Sequence, residues 1–531
     1  MTLLGVLWLG LFPLWQDGSY TRITRAKWLG MLGLSGVTAA LVLALVAVLL
    51  IRRQGRRLRL HPVQGLALLY LGWLALSAVF GSLADSVNGN GQLTVLMGAR
   101  RYEGLAAQGC YVGLFLLMSL YPPRLRAVMN AAALGMIVYG GIVALQYAGR
   151  NPFGLFPGDM SVRTTNEFQG TIGNIDMVSG YLCLVVPTLM FSFAAGETGP
   201  LCLAAGSMGT LMMLLMQVQS GIIALAAAWV ALAALILMRP ALRARGGVAL
   251  GCMLAMVSLR LLIGLPWHDG TEEILFPHAF ALWKLAPLAL AAVIVPLSRS
   301  VRGRVPGRRV LALLVLGAAA GMAAILLVRF PEGSALWELR EVLRGRGQDA
   351  FGSERLGIWR MTLGMARKHL LFGTGPDTFW YAMEQYQFET EQSLVQRFDN
   401  PHNMLLAVLS GSGVPALALY LALMAAVAVV CLRAARKDPW PLALAAGLAM
   451  YQMQGLFTFS ICLVSPMFWV MLGMSVAQAH PEEVVYHDHE LRTASEDTQG
   501  DPSQSADAAG DCADRGAAGP ADQCDRLPDG Q

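Results

Sequence analysis

Apolar runs divide this chain from end to end, and they constrain its fold more than any other feature, because about 20 mostly apolar residues suffice to cross a bilayer as one helix. They lie near 1–15, 28–51, 62–80, 105–121, 127–147, 175–196, 200–217, 221–238, 247–265, 277–297, 310–329, 404–433, 440–459 and 462–479. The first is short, and the 200–238 stretch divides in more than one way. Of the 531 residues 56% are hydrophobic and only 14% charged, where a soluble domain carries roughly a quarter. A soluble fold is all but excluded. The expected class is an all-α polytopic membrane protein with about 12–14 transmembrane helices and one large extracytoplasmic loop between late helices. Met1–Trp15 has neither a basic n-region nor a small-residue cleavage site and reads as a retained short span rather than a signal peptide.

Short arginine clusters orient these spans. Arg52, Arg53, Arg56, Arg57 and Arg59; Arg124 and Arg126; Arg239, Arg243 and Arg245; Arg299, Arg302, Arg304, Arg308 and Arg309; and Arg433, Arg436 and Lys437 all follow even-numbered runs. Positive charge stays on the cytoplasmic side. The expectation is a multi-pass protein of the cytoplasmic membrane with both termini inside and with 16–27, 81–104, 148–174, 266–276 and 330–401 outside. The chain divides into N-terminal helices over 1–199, a second transmembrane region over 200–479 that includes the loop 330–401, and a tail over 480–531.

The net charge of +5 is a sum of unlike parts. From His480 onward 13 acidic residues face 3 basic ones, so the tail carries −10 and the body +15. After Tyr486 the tail's apolar residues are nearly all alanine, too little to offset the entropy of ordering it, and it is expected to be disordered. The eight cysteines follow no disulfide or metal spacing. His487-Asp488-His489, inside the acidic tail, is assigned no metal.

Segment 330–401 is the one extramembrane stretch long enough to fold by itself. Leu336, Leu339 and Leu343 recur at helical spacing, which predicts a short amphipathic helix at the membrane surface. A second helix is expected from an N-cap at Ser353 and carries Arg355, Trp359 and Arg360; Gly373, Gly375 and Pro376 then turn, and Asp377 is placed to cap an aromatic-rich third helix. The loop ends in Asp399-Asn400-Pro401-His402-Asn403. Together these offer a base that accepts a proton at neutral pH, guanidinium groups that bind phosphate, and aromatic faces. Attack by a sugar hydroxyl on a lipid-linked sugar diphosphate needs all three.

Arg355-x-x-x-Trp359, Gly373-x-Gly375-Pro376, Asp399-x-x-His402-Asn403 and the following Gly411-x-Gly413 resemble the C-terminal signature of the bacterial O-antigen ligase and O-antigen polymerase family. Gly170-Thr171-Ile172-Gly173-Asn174 is similar to that family's glycine-asparagine motif. The resemblance implies a metal-independent membrane glycosyltransferase, without cofactor, acting on undecaprenyl-diphosphate-linked glycan at the outer face. It implies His402 as general base and Arg355 as diphosphate ligand, with Asn403, Asn174 and Trp359 as substrate contacts. The implied partners are the lipid-linked donor, a glycan or other envelope acceptor, membrane lipids and other polysaccharide-assembly proteins, with no nucleic acid.

Two positions depart from the pattern. Gln219-Ser220-Gly221 stands where the family commonly has Ser-Arg-Gly, so a second diphosphate ligand is missing, and Asp176 stands where many relatives have asparagine. Arg260 and Lys284, the basic residues well inside the expected spans, are the candidates to supply the lost charge. Structural alternatives stand beside each role. His402 serves equally to anchor a helix at the interface, Arg355 to pair with Glu354 or Glu391, Arg260 and Lys284 to snorkel, Asn174 and Asp176 to cap a helix, the loop aromatics to form an interfacial belt, and Gly411 and Gly413 to let helices approach. A flippase or transporter and a non-catalytic assembly subunit are the alternatives to an enzyme.

Overall fold

A computed structural model describes residues 1–51, 61–83, 95–98, 101–157, 169–263, 281–301, 303–391 and 398–479. The arginine cluster at 52–59, the segment 266–276 and the tail from 480 lie outside the described residues. Among those described the chain is helical throughout, without strands. Nine helices are long and apolar enough to cross a membrane, three more apolar helices are shorter, and Trp440–Gly455 and Ser465–Ala479 complete the set. The protein is an all-α polytopic membrane protein. Each expected run corresponds to a helix, with shifted ends: the run at 28–51 begins earlier, at Ile23, and that at 277–297 is a 3-10 turn Leu282–Leu285 followed by Ala286–Ser300.

Ile175–Ala194 is the central helix, buried over its full apolar window. Trp440–Gly455, Pro200–Met216, Gln219–Met238 and Arg243–Leu262 pack around it, while Ser465–Ala479 packs on Leu105–Leu120. Lipid tails are as apolar as leucine, so such helices associate through close backbone approach rather than through a hydrophobic drive. A side chain at Gly447 would collide with the Leu184 carbonyl and Thr188 of the central helix.

The early helices add one buried charge. Lys27 lies just outside the expected run at 28–51, yet it belongs to the helix Ile23–Ile51 and is fully buried, its ammonium donating to the carbonyls of Phe12 (2.7 Å) and Pro13 (2.9 Å). Arg260 and Lys284 are therefore not the only cations within the helical bundle.

Met404–Ala434 is broken where it matters. Pro415 has no N–H to give the carbonyl four residues back, that of Gly411, and Gly413 takes φ 81°, ψ 179°, a conformation open only to glycine. The freed groups find partners in the loop. Val414 N–H donates to Leu370 O (2.8 Å) rather than to Ser410; Ser410 O accepts from Thr374 N–H (3.0 Å) and Gly411 O from Gly375 N–H (2.8 Å). The Ser77 hydroxyl lies 3.0 Å from Gly411 O, and the Trp73 indole donates to Ser412 O at 3.1 Å. Irregular backbone at membrane depth is tolerated only when protein groups satisfy it in this way. The two glycine motifs of the sequence are thus two sides of one joint. Gly413→Ala is expected to destabilise this joint by about 1–3 kcal/mol, because its Cβ would meet the carbonyls of Leu370 and Leu371. The check is thermal melting in detergent together with faster proteolysis within 369–376; an unchanged melt would refute it.

Candidate functional site

Loop helices Arg355–Lys368 and Phe379–Thr390 share a small core of Ile358, Met361, Met365, Phe379, Ala382 and Met383, so part of the expected aromatic belt is interior packing. Two expected caps are corrected. Ser353 and Glu354 both have left-handed backbone (φ 57° and 65°), and neither side chain caps the helix at Arg355. Asp377 turns away from its helix, and its carboxylate accepts the backbone N–H groups of Arg101 (3.2 Å) and Glu103 (3.3 Å). The segment around Arg101 is thereby held against the loop.

The His402 turn is built by its neighbours. Asn400 Oδ1 accepts His402 N–H at 2.9 Å, and His402 has φ 46°, an uncommon value for a side-chain-bearing residue. Trp359 Nε1 donates to Pro401 O at 3.0 Å. Asn403 caps the next helix, accepting from Leu405 and Leu406 N–H at 3.0 Å each while its amide donates to Leu456 O at 2.9 Å. The imidazole stands edge-on to Phe398 and Phe459, at 5.7 and 5.4 Å between centroids. Its Nδ1 is buried without a hydrogen-bond partner.

Three charges surround that ring. Arg355 has a buried, unpartnered Nε and is close enough to interact electrostatically with both His402 and Asp176. Arg101 forms a two-pronged pair with Asp399 (2.6 and 2.8 Å), and its guanidinium lies 4.5 Å over the Phe459 ring. Burial would raise Asp399, but the hydrogen bonds and charge of Arg101 hold its carboxyl below the usual range. Burial, then Arg355, pulls His402 down to about 4, with Arg101 acting the same way and Asp399 opposing. The imidazole is therefore neutral at pH 7 and able to accept a proton.

The glycine-asparagine motif reaches the same region. Asn174 caps the central helix through Asp176 N–H (3.0 Å) and Met177 N–H (3.2 Å), and Gln454 donates to Asp176 O at 3.0 Å. Gly170 and Gly173 both have positive φ, with Gly170 N–H bonded to Gln146 and its carbonyl to Tyr20.

Residues 274–421 match the family model described as O-antigen ligase. Over this stretch the chain is similar to the O-antigen ligase family. Among curated proteins, none matches. The matched region contains Arg355, Trp359, His402, Asn403 and the glycine joint. Arg101, Asp176 and Phe459 come from outside it. Of the expected site residues, His402, Arg355, Trp359 and Asn403 are brought together, and Asn174 orients the helix that carries Asp176. Arg260 instead donates to Leu214 O and Ile263 O (3.2 Å each), and among the described residues no hydrogen bond or ion pair joins it or Lys284 to the O-antigen ligase site. Arg101 and its pair with Asp399 were missed, because nothing in an Arg-Arg pair between two apolar runs announces a partner 298 positions away.

The electrostatics make a signed prediction. Arg355→Ala removes a like charge and should raise the His402 pKa from about 4 toward its ordinary value, whereas Asp399→Asn removes an opposite charge and should lower it. The pH dependence of His402 carbethoxylation in membranes measures both; shifts of the reverse sign would refute the assignment.

Proposed function

We propose that the protein is a membrane glycosyltransferase that transfers or polymerises undecaprenyl-diphosphate-linked glycan, in the cytoplasmic membrane with both termini inside and the site facing out. The observation that carries this reading is the unpartnered Nδ1 of a neutral His402 beside the unpartnered Nε of Arg355, within the O-antigen ligase match. In the step envisaged, the acceptor hydroxyl oxygen attacks the anomeric carbon and its proton passes to His402. The bond from that carbon to the diphosphate oxygen breaks, and the diphosphate leaves with the electron pair toward Arg355. No metal is needed for this balance. Guanidinium placed where charge develops is the kind of group that dominates such catalysis.

The charge arrangement gives the donor a second effect. A bound diphosphate offsets the positive charge of Arg355, and because that charge helps hold His402 down, the imidazole becomes a stronger base once the donor is in place. Trp359 keeps the His402 turn in register, and Asn403 and Asn174 fix the helix starts around it. Transport alone would not use a neutral base poised at a loop–helix junction.

His402→Ala should lower glycosidic bond formation from purified lipid-linked donor by at least about 100-fold, the usual scale for a general base, with the protein still in the membrane. Arg355→Ala should raise the donor KM. In the unmutated enzyme kcat/KM should fall as pH drops through about 4, and kcat should fall at a higher pH because the donor raises His402. Full transfer by His402→Ala would refute the base; export of intact donor without bond formation would favour a flippase.

A further inference from the structure

Beside the His402 turn, a cleft opens between the segment around Arg101, the loop and the outer part of the bundle. His402 does not line it, although Asp399, Asn400 and Pro401 do. Its floor is aromatic, with Tyr70, Tyr420 and Trp469 packed on one another at 5.7 and 6.3 Å. Tyr70 lies about 15 Å below the Phe80 end of its helix, at 1.5 Å per residue, so the cleft descends well into the bundle. Its rim holds Arg101, Glu103, Gln108 and Asp377.

That rim is unsuited to an anion. Three carboxyl groups, Glu103, Asp377 and Asp399, face one guanidinium, which Asp399 already engages on two atoms. Nor is it a metal site, since among the described residues no three His, Cys, Asp or Glu converge to hold a cation. Burial, reinforced by Asp377, pushes Glu103 well above the usual carboxylate range against the hydrogen bonds of Tyr111 (2.5 Å) and Gln108 (3.2 Å), which disfavours its charged form. The rim thus presents carboxyl oxygens, an amide and a guanidinium above aromatic rings. Donors and acceptors mixed in this way, over apolar faces, suit a neutral polyol.

The geometry points to this cleft as a binding site for an uncharged saccharide, separate from the anion site at Arg355 and sharing Arg101, Phe459 and the wall Asp399–Asn400–Pro401 with the surroundings of His402. The inference rests on the glycosyltransferase reading and adds a division of labour to it: sugar in the cleft, diphosphate at Arg355, with the base between them. The sugar comes from either the acceptor or the donor's glycan, which share this chemistry.

The test uses the full chain in lipid nanodiscs, with the repeat-unit oligosaccharide freed of lipid and phosphate as probe and saturation-transfer NMR as readout. The wild type should bind it. Ala407→Phe, which fills the cleft from Met404–Ala434, should abolish binding, and Gln108→Ala, which removes a rim amide without filling space, should weaken it at least fivefold. Arg355→Ala should leave it unchanged, and inorganic diphosphate should not displace it. Binding unaltered by both cleft variants, or displaced by diphosphate or by a polyprenol, would overturn the assignment. Bond formation is scored separately. Undiminished transfer by Ala407→Phe sinks the subsite and spares the transferase, whereas saccharide binding without any transfer by the wild type sinks the transferase and leaves the subsite. In the transfer assay, a raised acceptor KM in Gln108→Ala assigns the cleft to the acceptor, and a raised donor KM to the donor.

Discussion

A helix in a bilayer has nowhere to place an unpaired backbone carbonyl except on another protein group, and Met404–Ala434 has two in succession, at Ser410 and Gly411. Pro415 and Gly413 free them; Thr374, Gly375 and Ser77 take them up, and Trp73 adds a bond to the neighbouring Ser412 carbonyl. The cost of leaving such groups unpaired in hydrocarbon is several kcal/mol each, so the joint commits the loop to one position. Everything downstream follows from that commitment. With the loop seated, Trp359 meets Pro401, Asp377 meets the backbone of Arg101 and Glu103, and Arg101 meets Asp399.

The site then works by distributing two guanidinium groups. One is spent on structure: Arg101 holds Asp399 and covers Phe459, which stands against the imidazole. The other, Arg355, keeps an unpartnered nitrogen. Both lie near His402 and favour its neutral form, and under the proposed function only the second is left to meet an incoming anion. The difference between a structural and a responsive cation is set by which carboxylate lies within reach.

Much of this was legible in the residues. Fourteen apolar runs became helices because hydropathy and length dictate spans almost without tertiary help. The His402, Arg355 and Trp359 cluster was legible because a known pattern marks it. What the pattern did not convey was physical detail set by distant chain: that Gly373-x-Gly375 and Gly411-x-Gly413 bond to each other, that Asp377 caps the Arg101 segment instead of its own helix, and that Lys27 is interior. Ser353 looked like a cap by composition, but backbone strain across Ser353 and Glu354 moved the helix start to Arg355. Arg260 and Lys284 were named for their depth alone, and depth does not say which way a side chain turns.

The pairing of Arg101 with Asp399 joins chain positions 298 residues apart, and that separation has a consequence in time. A chain inserted helix by helix from its N-terminus presents Arg101 long before Asp399, and Phe459 and Leu456 arrive later still. The charge environment of His402 is therefore assembled only when the last helices enter the bilayer. Until then the nascent protein is a membrane-embedded bundle in which the His402 turn lacks its charged and aromatic neighbours.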